Sequence, residues 1–213
     1  MRKIIAFDCD STLSSIEGID ELARLAGPEV CLQVEKLTNQ AMDGEVPLDE
    51  VFQRRLALIS PSREQVAQVA QLYLDTVEPT AKATLSSLRE KGWDLMILSG
   101  GFRECILPLA QELGIDLVEA VPLNFDNDGH YLSFDASYPT TYNGGKPEIL
   151  AGIRSKNNPE LMIMVGDGIS DLETISVADH FVAYTGYINR PKVSSGTPHR
   201  IQRLSELENL SFV

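Results

Sequence analysis

Four short apolar runs, each stopping abruptly on a polar residue or glycine, set most of what this chain can become. They are Lys3-Ile-Ile-Ala-Phe-Asp8, Asp94-Leu-Met-Ile-Leu-Ser99, Leu161-Met-Ile-Met-Val165 and His180-Phe-Val-Ala-Tyr-Thr185. Near-continuous hydrophobicity over so few residues fits strands buried on both faces, as in a parallel sheet covered by helices. Helical patterns separate the runs. Thr80–Lys91 closes on Gly92 and Phe102–Leu113 closes on Gly114, both C-terminal stop signals, and Lys146–Ser155 and Ser170–Ala178 supply two more helices. The alternation predicts an α/β fold, a doubly wound Rossmann-like parallel sheet.

Two segments break the alternation. Residues 14–77 carry no convincing strand and instead show amphipathic stretches at Glu17–Ala26, Leu48–Leu58 and Ser62–Leu74. A helical block inserted after the first strand reads as a cap, so the expected domains are an α/β core (1–13 and 78–213) and a helical cap (14–77). Between Val121 and Phe134, Asn127-Asp128-Gly129 separates two strand-like pieces and predicts a small β-hairpin.

At 213 residues, with 43% hydrophobic and 23% charged, the chain suits an ordinary globular domain with an appendage. Thirty-one acidic residues against 18 basic ones give a net charge of −13. That balance argues against nucleic acid and against anionic lipid as partners, since both are recognised through Lys and Arg. No apolar run approaches the roughly 20 residues that cross a bilayer, and Asp8 arrives before a signal-peptide core could form. No membrane association and a cytoplasmic location are therefore expected. Cys9, Cys31 and Cys105 form no C-x-x-C pair, so neither a disulfide framework nor a thiolate metal site follows. His130, His180 and His199 are scattered without zinc spacing.

The chemistry-bearing residues stand at strand ends. Asp8-Cys9-Asp10-Ser11-Thr12 follows the first run, and alternation along an extended chain sends Asp8 and Asp10 one way and Cys9 the other. In open α/β sheets ligands bind beyond the carboxyl ends of the strands. Taken alone, the stretch also fits turn residues or a helix N-cap. Gly166-Asp167-Gly168-Ile169-Ser170-Asp171 follows the third run and brings Asp167 and Asp171 to the same cleft. Two carboxylates about 4 Å apart repel by roughly 4 kcal/mol at an effective dielectric of about 20. Four converging acids therefore call for a cation, and an all-oxygen donor set suits Mg²⁺. Ser99-Gly100-Gly101, opening a helix, could admit a phosphate to backbone N–H groups, or be a plain strand-to-helix turn. Lys146 could stand as a point charge on a transferring phosphoryl group, or be a solvated lysine.

With these motifs in one chain order, the sequence resembles the haloacid dehalogenase superfamily of phosphohydrolases. The likeness rests on Asp-x-Asp-Ser-Thr (8–12), Ser-Gly-Gly-Phe (99–102), Lys146 and Gly-Asp-Gly-x-x-Asp (166–171). It is greatest for the branch acting on phosphoserine, through Glu17-Gly-Ile-Asp-Glu-Leu-Ala23, Ala41-Met42-x-Gly44 and Arg55-Leu-Ala-Leu-Ile59. The resemblance implies that Asp8 attacks phosphorus to form an aspartyl phosphate, while Asp10 protonates the leaving oxygen and then activates water. It further implies that Mg²⁺ is held by the carboxylates of Asp8 and Asp167 and the main-chain carbonyl of Asp10, with Asp171 supporting. Ser99, the Gly100 amide and Lys146 hold the phosphoryl oxygens. The substrate is a small phosphorylated amino acid: Glu17 meets its ammonium, Arg55 its carboxylate, and Met42, Leu48 and Ser170 complete the pocket. The family often has an aromatic residue where Leu48 stands and Asn or Thr where Ser170 stands.

Three alternatives remain at this level. The substrate could be phosphothreonine, phosphohomoserine or a sugar phosphate, although a sugar needs neither Glu17 nor Arg55. A receiver module also takes phosphate on Asp near Mg²⁺, but is shorter and lacks a helical insertion after its first strand. The third is a silent binding relative of the phosphatases, against which the intact motif set argues.

Overall fold

The computed structural model describes residues 2–42 and 48–213, and the side chains of these except 39–42 and 48. In chain order the elements are β1 (Lys3–Phe7), α1 (Gly18–Ala26), α2 (Pro28–Met42), α3 (Leu48–Ile59), α4 (Arg63–Asp75), α5 (Ala81–Glu90), β2 (Trp93–Phe102) and α6 (Arg103–Glu112). There follow β3 (Leu117–Val121), β4 (Leu123–Phe125), β5 (Tyr131–Phe134), α7 (Gly145–Asn157), β6 (Leu161–Gly166), α8 (Ile169–Leu172), β7 (His180–Tyr184), α9 (Pro191–Ser194) and β8 (Arg200–Ile201).

Among the described residues the main sheet has six strands in the order β3-β2-β1-β6-β7-β8, every pairing parallel. β4 and β5 pair antiparallel as the expected hairpin. β1 lies at the centre, with Phe7 paired to Ile97 on one side and to Val165 on the other. The chain winds outward from β1 in both directions, so the crevice where strand order reverses opens at the end of β1, beside Asp8.

The pleat divides the core. Ile5, Phe7, Ile97, Ile163 and Val182 face one side and pack with Leu85 and Leu88 of α5 and Ile106 and Leu109 of α6. Ile4, Ala6, Met96, Met162 and Met164 face the other and meet Leu150 of α7 and Val193 of α9. Each fully buried aliphatic or aromatic side chain contributes about 1.5–3 kcal/mol. Burial on both faces is why these strands read as unbroken apolar runs.

Local signals explain most boundaries. Ser62 accepts from the Gln65 amide at 3.2 Å while Gln65 accepts from the Ser62 amide at 2.8 Å, a capping box that starts α4. Gly92 and Gly114 end α5 and α6 at φ +80° and +67°, a conformation that L side chains disfavour. The helical segment leaves and rejoins the core at one place, because Ser14 and Val77 form an antiparallel bridge.

Four details depart from the sequence reading. α2 was not anticipated, although Gly27-Pro28 places proline at a helix start. Residues 117–121 form β3 of the main sheet, so the hairpin is confined to β4 and β5. β8, two residues long, was also not anticipated. The helix expected over Ser170–Ala178 stops at Leu172 and continues as a 3₁₀ turn over Glu173–Ser176, where the Thr174 hydroxyl donates to the Asp171 carbonyl. Among the described residues no helix is long and apolar enough to cross a membrane.

Candidate active site

β1 ends at Phe7, and Cys9–Leu13 turn sharply rather than extending, with Ser11 in the left-handed region at φ 50°. Asp8 caps this turn by accepting from the Cys9 amide at 2.7 Å. The turn achieves what alternation was expected to do. Cys9 enters the apolar core and Asp8 and Asp10 stay on the crevice side. Burial pushes the Cys9 thiol pKa well up, which removes it as a nucleophile.

Lys146 opens α7 and is almost completely buried, 3% exposed. Its ammonium stands 2.9 Å from Asp8 Oδ2 and also bonds Asp171 Oδ1. Burial alone would lower its pKa, but the charges of Asp171 and then Asp8 hold it above the usual lysine value. Gly145 makes this placement possible, since a Cβ there would lie 1.6 Å from the Pro139 carbonyl oxygen.

Asp167 and Asp171 arrive from the loop after β6. Asp171 is fully buried and accepts from the Gly168 amide at 2.9 Å. Gly166 must lack a side chain, because a Cβ would fall 2.2 Å from Asp171 Oδ2. Carboxylate oxygens of Asp8, Asp167 and Asp171 lie within 4.8 Å of one another. Burial, then the charges of Asp8 and Glu17, push Asp167 up to about 7, against the pull of Arg190. Burial and Asp8 likewise raise Asp171.

Asp10 is held apart from this cluster. Its Oδ1 accepts from the Tyr73 hydroxyl of α4 and from the Gly18 amide at 3.3 Å. Burial, followed by Glu17 and Asp8, raises its pKa. Ser99 and Gly100 lie near the end of β2, the strand paired with β1, and Ser99 Oγ accepts from the Gly101 amide at 3.0 Å. A Cβ built at Gly101 would lie 3.1 Å from Asp10 Oδ2 and 3.3 Å from Ser99 Oγ, so these two oxygens border one small space.

Glu17 sits at the start of α1, where its Oε1 accepts from Ser11 Oγ at 2.7 Å. Arg55 on α3 reaches the Thr38 hydroxyl at 3.4 Å and lies over the Phe52 ring at 6.0 Å, leaving its buried Nε without a partner among the described residues. Burial lowers the Arg55 pKa, opposed by Asp20 and Glu17. Ser170 is half-buried on α8. Met42 and Leu48 have side chains outside the described residues.

Three contacts were not anticipated. Arg190 bonds Asp167 Oδ2 at 3.1 Å and stands 3.8 Å from Glu17 Oε1. Its signal was weak, an arginine before Pro191 in a loop after β7, yet that loop is also a strand end on the crevice rim. The Tyr73 hydroxyl bond to Asp10 comes from an aromatic residue that reads as helix core. The Thr12 hydroxyl donates to Asp167 Oδ1 at 3.4 Å. The histidines stay elsewhere: His180 and His199 pack on Phe212, and His130 pairs with Asp126 on the exposed hairpin turn.

The donor set fits a hard divalent cation. Asp8, Glu17, Asp167 and Asp171 face Lys146 and Arg190, four acids against two cations among these residues, and the clustered donors are all oxygen. Burial is the main cause of the raised Asp167 pKa, and the charges of Asp8 and Glu17 add to it.

A family model for haloacid dehalogenase-like hydrolases matches residues 2–179. The chain is 39% identical over 194 residues to a phosphoserine phosphatase of Drosophila melanogaster, covering 90% of this chain and 71% of that one. It is 37% identical over 205 residues to a phosphoserine phosphatase of Bos taurus, covering 95% and 90%. The fold matches the crystal structure of a phosphoserine phosphohydrolase-like protein from Francisella tularensis with a TM-score of 0.83 and 28% identity, over 99% of this chain and 100% of that one. The chain belongs to the haloacid dehalogenase-like hydrolases and, within them, to the phosphoserine phosphatase family.

Proposed function

We propose that this chain hydrolyses O-phospho-L-serine to L-serine and phosphate through an aspartyl phosphate on Asp8. The observation that carries the reading is Asp8 itself: a carboxylate at the sheet's switch point, 2.9 Å from a buried ammonium and crowded by further acids. In the first step an Asp8 oxygen forms a bond to phosphorus as the bond to the serine oxygen breaks. Asp10, whose raised pKa lets it carry a proton, gives that proton to the departing oxygen. In the second step Asp10 takes a proton from water as the water oxygen bonds phosphorus and Asp8 is released. Lys146, Ser99 and the Gly100 amide hold the phosphoryl oxygens.

Mg²⁺ is the proposed ion, held by the carboxylates of Asp8 and Asp167 and the main-chain carbonyl of Asp10, with Asp171 alongside. When bound, the ion offsets the acids and draws charge from the phosphoryl group. Residues 14–77 act as a cap over a core of 1–13 and 78–213, a division in keeping with the Ser14–Val77 bridge. Within it Glu17 faces the substrate ammonium and Arg55, whose Nε has no partner among the described residues, the carboxylate. Met42, Leu48 and Ser170 complete the proposed pocket. The unpaired thiols of Cys9, Cys31 and Cys105 accord with a cytoplasmic setting.

The test is phosphate release from L-phosphoserine, phosphothreonine, phosphohomoserine and a sugar phosphate, with Mg²⁺ and after chelation. Preference for phosphoserine, lost on chelation, supports the assignment. Equal use of the sugar ester overturns the substrate, and undiminished turnover after chelation overturns the ion.

A further inference from the structure

Tyr73 lies on α4 with its ring fully buried, and its hydroxyl donates to a carboxylate rather than to backbone. A buried phenol needs a partner, but packing alone does not require that partner to be the acid and base of the reaction. The two oxygens of Asp10 have different surroundings. Oδ1 is tied twice to the helical segment, by Tyr73 and by the Gly18 amide. Oδ2 faces the space beside Gly101 that Ser99 Oγ and the buried Ile106 Cδ1 also border. The approach of the phenol is itself built in, because a Cβ at Gly18 would lie 2.2 Å from the Tyr73 hydroxyl oxygen.

We infer that Tyr73 is a positioning residue for proton transfer: by holding Oδ1 it fixes the rotation of the Asp10 carboxyl and presents Oδ2 to the leaving oxygen. This deepens the proposed function and rests on the role given there to Asp10. Tyr73 keeps its own proton in both steps. The proton that moves is the one on Asp10 Oδ2, delivered as the bond from phosphorus to the leaving oxygen breaks and recovered from water in the second step. Since α4 belongs to the helical segment, the acid is aimed only while α4 is docked on the core.

The leaving group separates this role from simple packing. An alkoxide needs the proton, whereas nitrophenolate leaves without it. Tyr73→Phe keeps the ring and removes the hydroxyl. Rapid-quench measurement of Asp8 phosphorylation by phosphoserine should show the rate constant falling by about 10- to 100-fold, a part of the roughly 100- to 10,000-fold that acid catalysis supplies, with KM changed by less than about 3-fold. The burst of nitrophenolate from p-nitrophenyl phosphate should stay within about 3-fold of the native value, because that step draws no proton from Asp10. Gly18→Ala, which displaces the hydroxyl, should give the same divergence. Equal losses on both esters, or no loss on either, would overturn the inference. Native protein that uses an alkyl ester other than phosphoserine would sink only the substrate assignment, and the comparison then holds for that ester. Native protein phosphorylated by neither ester would sink the catalytic reading and this inference together.

Discussion

Lys146 Nζ stands 2.9 Å from Asp8 Oδ2 while also bonding Asp171 Oδ1, so one buried ammonium joins the first and last acids of the site. That geometry makes Lys146 the permanent positive charge facing the proposed nucleophile. Lys146→Met keeps the length of the stem and removes the charge. Its kcat on phosphoserine should fall by about 100-fold or more, the scale seen when a preorganised charge partner is removed from a reacting group. A loss below about 3-fold would show that the ammonium serves folding alone.

The pKa of Asp167 gives a pH dependence with a definite sign. Burial, then Asp8 and Glu17, raise it from 3.8 to about 7, and Asp10 and Asp171 are raised as well. Between those pH values the folded protein keeps a proton that the unfolded chain has released, so stability declines as pH rises through the window. For Asp167 alone the ceiling is on the order of 4 kcal/mol. Metal-free protein should therefore melt at a lower temperature at about pH 8 than at about pH 5, and added Mg²⁺ should narrow the gap. A flat or rising profile without metal would contradict the electrostatic account.

Arg55 is proposed to read the substrate carboxylate with a guanidinium whose buried Nε has no partner among the described residues. Arg55→Ala should raise KM for phosphoserine by about 10-fold or more, the loss of a charge-assisted pair, and change KM for an aryl phosphate by less than about 3-fold. Matching changes on both substrates would remove Arg55 from recognition.

Two glycines of α7 should respond in opposite ways to alanine. At Gly145 a Cβ would collide with the Pro139 carbonyl at 1.6 Å, so Gly145→Ala should destabilise by about 2 kcal/mol or more, as overpacking does, and misplace Lys146. At Gly152, mid-helix and exposed, a Cβ meets nothing within 4 Å, and alanine should stabilise by about 0.5–1 kcal/mol. Urea unfolding of both variants checks the local geometry, which equal effects would refute.

The gathering of Asp8, Asp167 and Asp171 was legible because a parallel sheet brings its strand-end loops to one crevice. Asp8, Asp10, Ser99, Asp167 and Asp171 each follow an apolar run, and Lys146 follows a Gly-Gly pair at a helix start. What the sequence hid were contacts made by residues whose type and spacing suit something blander. Tyr73 sits in an apolar helical stripe and reads as packing, and its partner becomes visible only once α4 packs on α1 and α6, beside the turn that carries Asp10. Arg190 follows no motif, and its pairing with Asp167 depends on β7 lying next to β6. The early end of α8 was equally hidden, because the bond from the Thr174 hydroxyl to the Asp171 carbonyl does not show in the apolar pattern. β3 escaped because its run is short and interrupted by Glu119, and only Pro122 separates it from the hairpin.

The central claim is that Asp8 takes the phosphoryl group, and the most direct measurement is the site of the label. Native protein quenched in acid during turnover of phosphoserine with Mg²⁺ should carry phosphate on the peptide containing Asp8. The label should be absent after chelation and absent in Asp8→Asn, which should also lose turnover while keeping its fold. Phosphate on any other residue, or turnover persisting in Asp8→Asn, would contradict the account.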